Sequence, residues 1–476
     1  MQRFKQLLSS IDMTTGPPWK KLVLFMLPLL IGNLFQQLFS TVDAIMLGRF
    51  VGDYALAAVG SSMPIFFLIM VLMMGIAIGA GIMVSQYFGA KKREELSHTI
   101  GTCITLTTIL GVFLMIFGPL ATRPLLIFFG TPEAILDDSA MYMNILLWGA
   151  LSMGYFSVLQ GALRALGDAF SPLLYLAIAS LLNIALNFLL IGILGWGVMG
   201  AAVGTVIAQA FTSFLCLRRL LRMRDIFDMG ISYLRLRKRY VSQLLKLGVP
   251  TGASQSMFVI AMMIVQPLAN SFGPLFLAAN VILMRVDGFV MMPNFSFGNA
   301  MTVYAGQNMG AGKLQRVSQG TKQCALMAFG TAFIMVSLIW IFGSQIASMF
   351  TQTAEVLAMS VRFLRILTAG YLAFSVNMVL LGAIRGAGDA ITPLWVAFVN
   401  TFVIRVPAAY LLVYFLDDPV ALIYSLLIAW TSNTLLTFIA YRVGSWRTKG
   451  LIRYAPKVEA NDIATNEDFI PKQTDE

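Results

Sequence analysis

Twelve long apolar runs, joined by short polar loops, constrain what this chain can fold into. An α-helix of about 20 apolar residues crosses a hydrocarbon core of roughly 30 Å, and each run is long enough to do so. We place the runs at 22–47, 56–84, 99–122, 139–163, 170–191, 197–220, 242–270, 275–304, 319–343, 358–382, 393–415 and 419–441. The pattern predicts an all-α polytopic membrane protein with 12 transmembrane helices.

The composition of the chain indicates that lipid supplies much of its surroundings. The 476 residues are 58% hydrophobic and 12% charged, whereas a soluble domain carries about 25% charged residues. The first apolar run is too long for a signal peptide and no small-residue cleavage site follows it, so we expect no cleaved signal. Cys103, Cys216 and Cys324 fit neither a metal site nor a disulfide framework, and we interpret them as small core residues.

The basic residues divide unevenly between the two sides of this topology. Of the 33 lysines and arginines, 27 fall on the side that holds both termini and the connection 218–246. The other side collects the acids Asp53, Glu133, Asp137, Asp138, Glu355, Asp417 and Asp418. Because cytoplasmic loops are enriched in Lys and Arg, we expect a plasma (inner) membrane protein with both termini in the cytoplasm. The net charge of +11 is then a topology signal, and we expect no nucleic-acid partner.

The two halves of the chain repeat one another. GALRALGDAFSP at 161–172 and GAIRGAGDAITP at 382–393 match at seven of twelve positions, at an offset of 221. The same offset relates QYFGAKK, from Gln86, to QNMGAGK, from Gln307. A unit of six spans returns to its starting side, so the repeat predicts two six-helix bundles related by a pseudo-two-fold axis along the membrane normal. We interpret each GxxRxxGD motif as a tight turn in which Arg and Asp cap helix ends.

This repeat also predicts how the chain divides. We expect a cytoplasmic segment at 1–21, an N-lobe at 22–220, a cytoplasmic linker at 221–241, a C-lobe at 242–441 and a cytoplasmic tail at 442–476. The tail is polar after about residue 455, a composition typical of disordered segments.

Four ionisable residues fall inside the apolar runs: Asp43, Arg285, Asp287 and Arg405. Each costs on the order of 3 kcal/mol at membrane depth and so calls for a function or a partner. Asp43 lies about 31 Å along span 1 from Leu22, and the alternative to a functional role is an interfacial residue at a helix end. For the other three, the alternative is that Arg285 or Asp287 pairs with Arg405 or with a backbone carbonyl.

Polar side chains on spans 5 and 6 fall in the same outer half of the N-lobe as Asp43. Asn183 and Asn187 are four residues apart and therefore share one face of span 5, and Thr205 lies on span 6. A carboxylate with amide and hydroxyl oxygens nearby suits a proton or an alkali cation. The alternative is that the Asn and Thr side chains join helices to each other.

Several segments together resemble the multidrug and toxic compound extrusion (MATE) transporters: PLLIGNLFQQLFSTVDAIMLGRFVGDYALAAVG, QYFGAKKREE, LGVP, GQNMGAGKLQR and GAIRGAGD. The resemblance covers about residues 25–440. It implies that Asp43 is the cation-coupling residue, with Asn183, Asn187 and Thr205 as its polar partners, and that Gln36 lines the substrate cavity. Some relatives have a second cation site formed by a glutamate in span 7 and an aspartate in span 10, and neither span has a carboxylate here.

The function implied is a secondary active antiporter that needs no cofactor beyond a coupling ion, H⁺ or Na⁺. It would act as a monomer and export amphipathic or cationic organic compounds through a cavity between the lobes. Met257, in the adaptable apolar stretch MFVIAMMIV, and Arg285 are candidate cavity residues. One alternative is a flippase for lipid-linked oligosaccharides, whose diphosphate would need a basic cavity such as Arg285 and Arg405 could begin to supply.

A second alternative, from another class, is an intramembrane enzyme. The chain has one histidine, His98, with Glu94 and Glu95 before it, which we interpret as a solvated cluster at a helix end and not as a metal site. No P-loop motif occurs in the sequence, so we do not expect ATP to drive this chain directly. We therefore expect a transporter and not an enzyme.

Overall fold

The computed structural model of the chain describes residues 10–452. The predicted disorder after residue 455 and the first nine residues lie outside this range. Between residues 10 and 452 all regular structure is helical and no β-strand occurs.

Twelve elements cross the molecule, and we number them like the predicted spans. They are α1 (Pro18–Phe50), α2 (Asp53–Gly89), α3 (Arg93–Phe128), α4 (Glu133–Trp148 with Ala150–Ala165), α5 (Phe170–Ile193), α6 (Gly197–Leu221), α7 (Lys238–Ser271), α8 (Gly273–Gly310), α9 (Leu314–Ser348), α10 (Ala354–Gly386), α11 (Ile391–Leu416) and α12 (Val420–Val443). Eleven of them are long and apolar enough to span a membrane as single helices, and α4 makes twelve. The predicted count is confirmed, and most helices continue past the ends of the apolar runs.

The fourth span is bent where a glycine lets a neighbouring helix approach. Its two helices meet at Gly149 with an angle of 53°. A β-carbon at Gly149 would lie 2.4 Å from a methyl carbon of Val206 in α6. The missing side chain therefore gives Val206 the space that it occupies at the bend.

The two halves repeat each other at the turns that precede α5 and α11. Gly167 and Gly388 adopt positive φ angles of +89° and +96°, a conformation that favours glycine. After each glycine, an aspartate caps the next helix. The Asp168 carboxylate accepts hydrogen bonds from the backbone N–H and the hydroxyl of Ser171, at 2.9 and 2.7 Å.

The second copy of the turn has the same cap, and in both copies the arginine has a different role from the one predicted. Asp389 accepts from the backbone N–H and the hydroxyl of Thr392, at 3.1 and 2.7 Å. The prediction that Asp caps a helix is confirmed. The prediction that Arg does so is wrong, because Arg164 donates to the side chain of Gln160 and Arg385 lies 3.5 Å from the Ser254 hydroxyl.

The six helices α1–α6 form one bundle, the N-lobe, and α7–α12 form the other, the C-lobe. The two lobes are in close contact where α2 crosses α7. A β-carbon at Gly75 would lie 2.4 Å from the carbonyl oxygen of Gly248, and one at Gly79 would lie 2.9 Å from the Gly248 nitrogen. Small residues four apart on both helices allow this approach, as is usual for helix pairs in membranes.

That crossing lies in the half of the molecule nearer to one end, which we call the basic end. The basic end carries the α2–α3 loop (90–92), the α8–α9 loop (311–313), the inter-lobe linker (222–237) and both ends of the described chain. The far end carries the predicted acids, some of them paired: Arg123 with Asp137 at 3.3 Å and Arg362 with Asp418 at 3.8 Å.

Helix α1 packs with both lobes. Near the basic end, Leu22 and Phe25 belong to a buried cluster with Phe297 and Met301 of α8. Near the far end, Leu47 belongs to a buried cluster made by N-lobe helices. The first helix of the N-lobe is therefore shared between the two bundles.

The cysteines and the histidine lie in the interior. Cys103, Cys216 and Cys324 are buried and unpaired, as predicted for core residues. His98 is only 2% exposed, with its ring 4.8 Å from that of Tyr233 and 5.4 Å from that of Tyr240. The prediction of a solvated cluster is therefore wrong for His98, which the two tyrosines cover.

Candidate functional site

The Asp43 side chain forms a hydrogen bond with a residue of α5 inside the N-lobe. The sequence pattern placed Asp43 and the polar residues of span 5 in the same half of this lobe. The residue is partly buried on α1, and its carboxylate accepts a hydrogen bond from the side-chain amide of Asn187 on α5. Among residues 10–452, no Lys, Arg or His nitrogen lies within ion-pairing distance of this carboxylate. A carboxylate at this position is held by an amide and not by a counter-charge.

The Asn187 side chain links Asp43 to Asn183. Its Nδ2 donates both to Asp43 and to the Oδ1 of Asn183, at 3.1 Å for the second bond. An amide nitrogen has two hydrogens, so these two bonds use its full donor capacity. Both asparagines are 0% exposed. The structure brings Asp43, Asn183 and Asn187 together in one chain of hydrogen bonds, buried at the two asparagines.

The remaining amide atoms of the two asparagines point at the bare backbone of α6. Asn187 Oδ1 and Asn183 Nδ2 are buried without a hydrogen-bond partner among the described residues. A β-carbon at Gly204 would lie 2.7 Å from the first and 3.6 Å from the second. A buried amide oxygen without a donor is costly, and it is also a ready ligand for a proton donor or a cation.

Thr205 follows Gly204 and is 7% exposed. It makes no hydrogen bond to Asp43, Asn183 or Asn187 in the described part of the chain. The structure therefore places Thr205 next to the site, with Gly204 rather than Thr205 in contact with the amides. Gly204 is not among the residues predicted from the sequence, although a glycine one position before a predicted ligand is a signal for close helix approach.

The backbone changes from α-helical to π-helical directly after Asn187. Residues Phe188–Ile193 form a π-helical turn, in which the backbone N–H of Leu194 donates to the Leu189 carbonyl at 2.9 Å. The C-lobe has a similar turn at Val399–Arg405 in α11. Such turns are rare and often mark functional sites, and nothing in the sequence pattern signalled either one.

The three predicted cavity residues lie on α1, α7 and α8, helices that make contacts between the lobes. Gln36 is exposed one turn beyond Asn33, whose amide donates to the Ser296 hydroxyl of α8 at 3.0 Å. Arg285 is exposed on α8, and Met257 is partly buried on α7. Arg285 and Ser296 are 11 residues apart, about three helical turns, and therefore share one face of α8.

Two of the ionisable residues inside the C-lobe spans contact aromatic side chains. Asp287 accepts a hydrogen bond from the hydroxyl of Tyr371, which is 0% exposed on α10. The Arg405 guanidinium lies over the ring of Phe258, 5.5 Å from its centroid. The alternative in which Arg405 pairs with Arg285 or Asp287 is therefore wrong, because the guanidinium lies against an aromatic ring and the carboxylate accepts from a tyrosine.

The donor atoms of the N-lobe site fit a proton or one hard monovalent cation. Asp43 is the only carboxylate of the set, and the oxygens around it are uncharged amide oxygens. Hard cations prefer oxygen ligands, and the partnerless Oδ1 of Asn187 supplies one. Residues 10–452 contain no cluster of three His, Cys, Asp or Glu side chains that could hold a transition metal.

Comparison with known proteins identifies the family. The MatE family model matches residues 28–189 and, again, residues 250–411. The probable multidrug resistance protein YoeA of Bacillus subtilis is 31% identical over 443 residues, covering 91% of this chain and 96% of YoeA. The probable multidrug resistance protein NorM of Thermotoga maritima is 23% identical over 398 residues, covering 83% of this chain and 85% of NorM.

Solved structures agree with this assignment. A multidrug resistance MATE family transporter of the MOP superfamily, in an outward-facing conformation, is similar with a TM-score of 0.85 and 25% identity, over 91% of this chain and 97% of that one. A MOP superfamily transporter from Pyrococcus furiosus Vc1 has the same TM-score and identity, over 91% and 98% of the two chains. The chain therefore belongs to the MatE family, whose members are membrane transporters and not enzymes.

Proposed function

We propose that this chain is a secondary active multidrug exporter in which H⁺ or Na⁺ binding at Asp43 drives the exit of amphipathic or cationic compounds across the plasma membrane. The observation that carries the proposal is the Asp43 carboxylate, held inside the N-lobe by Asn187 and without a cationic partner among residues 10–452. Relatives named as multidrug resistance proteins support export as the activity. The coupling ion is then the only partner that the site needs besides the substrate and the lipid bilayer.

Ion binding would change which atoms of Asn187 face the carboxylate. The ionised carboxylate only accepts hydrogen bonds, so it requires the amide nitrogen of Asn187. A protonated Asp43 can donate, and a bound Na⁺ needs oxygen ligands, so either ion favours the amide oxygen instead. The hydrogen bond between α1 and α5 is therefore the contact that distinguishes the two states of the site.

Helix α1 can carry this change to the other lobe. Asp43 lies on the part of α1 that packs with the N-lobe, whereas Leu22 and Phe25 pack with α8 of the C-lobe. Pro28 interrupts the hydrogen-bond ladder between these two parts. An ion can shift the balance between two forms only by binding one of them more tightly, and the Asp43–Asn187 contact is where we propose that difference arises.

The proposed substrate cavity is the space between the outer halves of the lobes. Gln36, Met257 and Arg285 lie on α1, α7 and α8, on the far side of the contacts that join the lobes near the basic end. Apolar side chains with a few polar ones among them suit amphipathic compounds. We propose that the protein acts as a monomer, so that each chain holds its own cavity.

The orientation follows from the charges. We propose that the basic end is cytoplasmic, with both termini inside, because Lys and Arg are retained there. The division into segments 1–21, 22–220, 221–241, 242–441 and 442–476 belongs to this proposal. With that orientation, the contacts that join the lobes near the basic end lie on the cytoplasmic side, which supports an outward-facing form.

A lipid-linked oligosaccharide flippase is the alternative function. It needs several free cations in the cavity to hold a diphosphate. The Arg405 guanidinium lies against Phe258 and Arg285 is the exposed cation of the pair, which favours an exporter of amphipathic or cationic compounds. Flipping of a lipid-linked precursor by the purified protein in liposomes would overturn this preference.

Transport in proteoliposomes tests the proposal. The purified protein would be reconstituted into liposomes, and the liposomes would be loaded with a fluorescent cationic drug such as ethidium. A proton gradient and a sodium gradient would then be imposed in turn. We expect drug movement to follow one of the two gradients and to stop when that gradient is collapsed by an ionophore. Drug movement that ignores both gradients would show that the chain is not an ion-coupled exporter.

A further inference from the structure

Two glutamines at the basic end bridge the lobes in opposite directions. The Gln86 side chain on α2 donates from Nε2 to the carbonyl oxygen of Gly386 on α10, at 2.9 Å. The Gln307 side chain on α8 donates from Nε2 to the carbonyl oxygen of Ala165 at the end of α4, also at 2.9 Å. Both glutamines are 0% exposed. Each partner, like each glutamine, is 221 positions from its counterpart, so the two bridges are one contact made twice by the internal repeat.

The helix backbones around these glutamines touch in the same reciprocal way. A β-carbon at Gly89 would lie 1.9 Å from the carbonyl oxygen of Gln307, and one at Gly310 would lie 1.9 Å from the carbonyl oxygen of Gln86. Neither glycine can carry a side chain while the lobes are in this arrangement. Helices α2 and α8 therefore close the basic end with backbone contacts on both sides of the pseudo-two-fold axis.

The second amide atom of each glutamine binds a segment near one end of the chain. The backbone N–H of Met13 donates to Gln307 Oε1 at 2.9 Å, and the backbone N–H of Leu451 donates to Gln86 Oε1 at 2.8 Å. We call residues 10–16 the N-strap and residues 445–452 the C-strap. Each glutamine thus joins three parts of the protein: its own lobe, the other lobe and a strap.

The N-strap crosses from one lobe to the other. The backbone N–H of Ile11 donates to the carbonyl oxygen of Gly167 in the N-lobe at 3.0 Å. On the C-lobe side, Asn308 donates to the Met13 carbonyl at 3.1 Å and Arg316 donates to the Gly16 carbonyl at 2.9 Å. The Met13 side chain is 0% exposed in the apolar cluster of α1 and α8.

The C-strap occupies the equivalent place at the other copy of the turn. A β-carbon at Gly388 would lie 2.8 Å from the carbonyl oxygen of Lys449. In the first copy of the turn, the backbone of Ile11 lies against Gly167 in the same way. Trp446 is 1% exposed and anchors the strap in the cluster of α1 and α8. Leu451 packs against a second buried cluster, made by N-lobe helices and the start of α7. The segment before α7 does not take this place, because the linker runs along α3 instead, where Arg93 pairs with Asp228 at 2.7 Å.

We propose that Gln86 and Gln307, each bound by a strap, form a two-fold clamp that holds the basic end shut, and that the straps must leave the glutamines before the lobes can part there. The hydrogen bonds of the two glutamine side chains join neutral amide groups, so water can replace each of them when the lobes separate, which suits a contact that has to break in every cycle. The proposal rests on the proposed movement of the two lobes, and it is independent of the coupling role of Asp43.

The test measures the distance between the lobes in the purified full-length chain. Spin labels would be attached at Lys92→Cys and Lys322→Cys, two exposed positions at the basic ends of the N-lobe and the C-lobe. Pulsed electron paramagnetic resonance then measures the distance between the labels without a drug or an ion gradient. Gln86→Met and Gln307→Met keep the approximate size of the side chain and remove its bonds. We expect each to raise the ratio of separated to closed lobes roughly tenfold.

Two further variants keep the outcome interpretable. Gln266→Met, which changes an exposed glutamine at the far end of α7, is the matched control, and we expect the parent distances. A chain that ends at Thr448 lacks Leu451, whose backbone N–H binds Gln86, and keeps every spanning helix. We expect its lobes to separate as those of Gln86→Met do. Parent distances in both glutamine variants, or equal separation in Gln266→Met, would overturn the clamp.

The remaining outcomes distinguish a failure of the clamp proposal from a failure of the proposed exporter function. Separation in the glutamine variants but not in the shortened chain would overturn the role of the C-strap. Parent distances in the glutamine variants together with drug transport that follows an ion gradient would refute the clamp and leave the exporter standing. Separation of the lobes in those variants together with transport that ignores both gradients would support the clamp and refute the ion-coupled exporter.

Discussion

The side-chain amide of Asn187 donates to the carboxylate of Asp43 and so joins α5 to α1 across the interior of the N-lobe. The same nitrogen also donates to Asn183, so the carboxylate is the end of a short chain of hydrogen bonds. At the other end of that chain, the amides face the backbone of α6 at Gly204. Three helices of one lobe therefore meet around one ionisable side chain.

Replacing Asp43 by asparagine should strongly reduce ion-driven export. The new amide side chain would be neutral at every pH and could not respond to a proton or hold a sodium ion by charge. Coupling free energies between two sites are typically about 1–3 kcal/mol, so we expect gradient-driven drug efflux in proteoliposomes to fall roughly tenfold or more. Gel filtration of the purified variant should show that it folds like the parent.

Asp287→Asn is the matched control for this change. Asp287 is also a carboxylate inside a span, but it accepts from Tyr371 in the C-lobe and has no contact with the Asp43 site. We expect Asp287→Asn to keep gradient-driven efflux. Equal loss of efflux in both variants would place the coupling outside the N-lobe site, and full efflux by Asp43→Asn would remove Asp43 from the mechanism.

The internal repeat explains why so much of the fold could be predicted from the sequence. The number of apolar runs predicted the number of spans, and the two matching GxxRxxGD motifs predicted two equivalent turns. The structure has these turns at Gly167 and Gly388. Four-residue spacing placed Asn183 and Asn187 on one face of span 5, in the same half of the N-lobe as Asp43, and the resemblance to MATE transporters implied that they are its partners.

Contacts between distant helices could not be predicted in this way. The partner of Asp287 is Tyr371, a residue that apolar patterning assigns to packing, and the guanidinium of Arg405 rests on a phenylalanine. Both pairings depend on how α8, α10 and α11 rotate against their neighbours, which span patterns leave open. The contact between Gly204 and Asn187 likewise depends on how α6 packs against α5.

The two asparagines should differ in their effect on transport. Asn187 contacts the Asp43 carboxylate directly, whereas Asn183 reaches it only through Asn187. We therefore expect Asn187→Leu to lower gradient-driven efflux about as much as Asp43→Asn does, and Asn183→Leu to lower it less. Efflux assays on both variants in the same liposome preparation would check the order, and a larger loss in Asn183→Leu would contradict it.

The inter-lobe linker should make the stability of the protein depend on pH. Hydrogen bonds from Arg93 hold the pKa of the Asp228 carboxylate below its ordinary value. A carboxylate whose pKa is lowered on folding stabilises the fold above its unfolded pKa of about 3.9 and loses that contribution as the pH falls through the folded value.

Asp228→Asn tests this pH dependence. We expect the variant to melt at a slightly lower temperature than the parent at pH 7, because the pair is exposed at the surface and such pairs contribute little. The difference should shrink as the pH is lowered below about 4, where the parent also loses the charge. Thermal unfolding in detergent at several pH values measures it. A difference that grows towards acid pH would contradict the assignment.

Gly204→Ala should disturb the ion site without changing any of its polar residues. The new β-carbon would lie 2.7 Å from Asn187 Oδ1, which is too close for van der Waals contact, so either α6 moves away or the amide turns from Asp43. Overpacking of this kind costs about 1–3 kcal/mol, and we expect a lower melting temperature together with weaker gradient-driven efflux. Gly330→Ala on α9, where a β-carbon meets nothing within 4 Å, is the matched control and should change neither. Unchanged efflux in Gly204→Ala would show that the close approach of α6 to the asparagines does not matter for coupling, and the site would then consist of α1 and α5 alone.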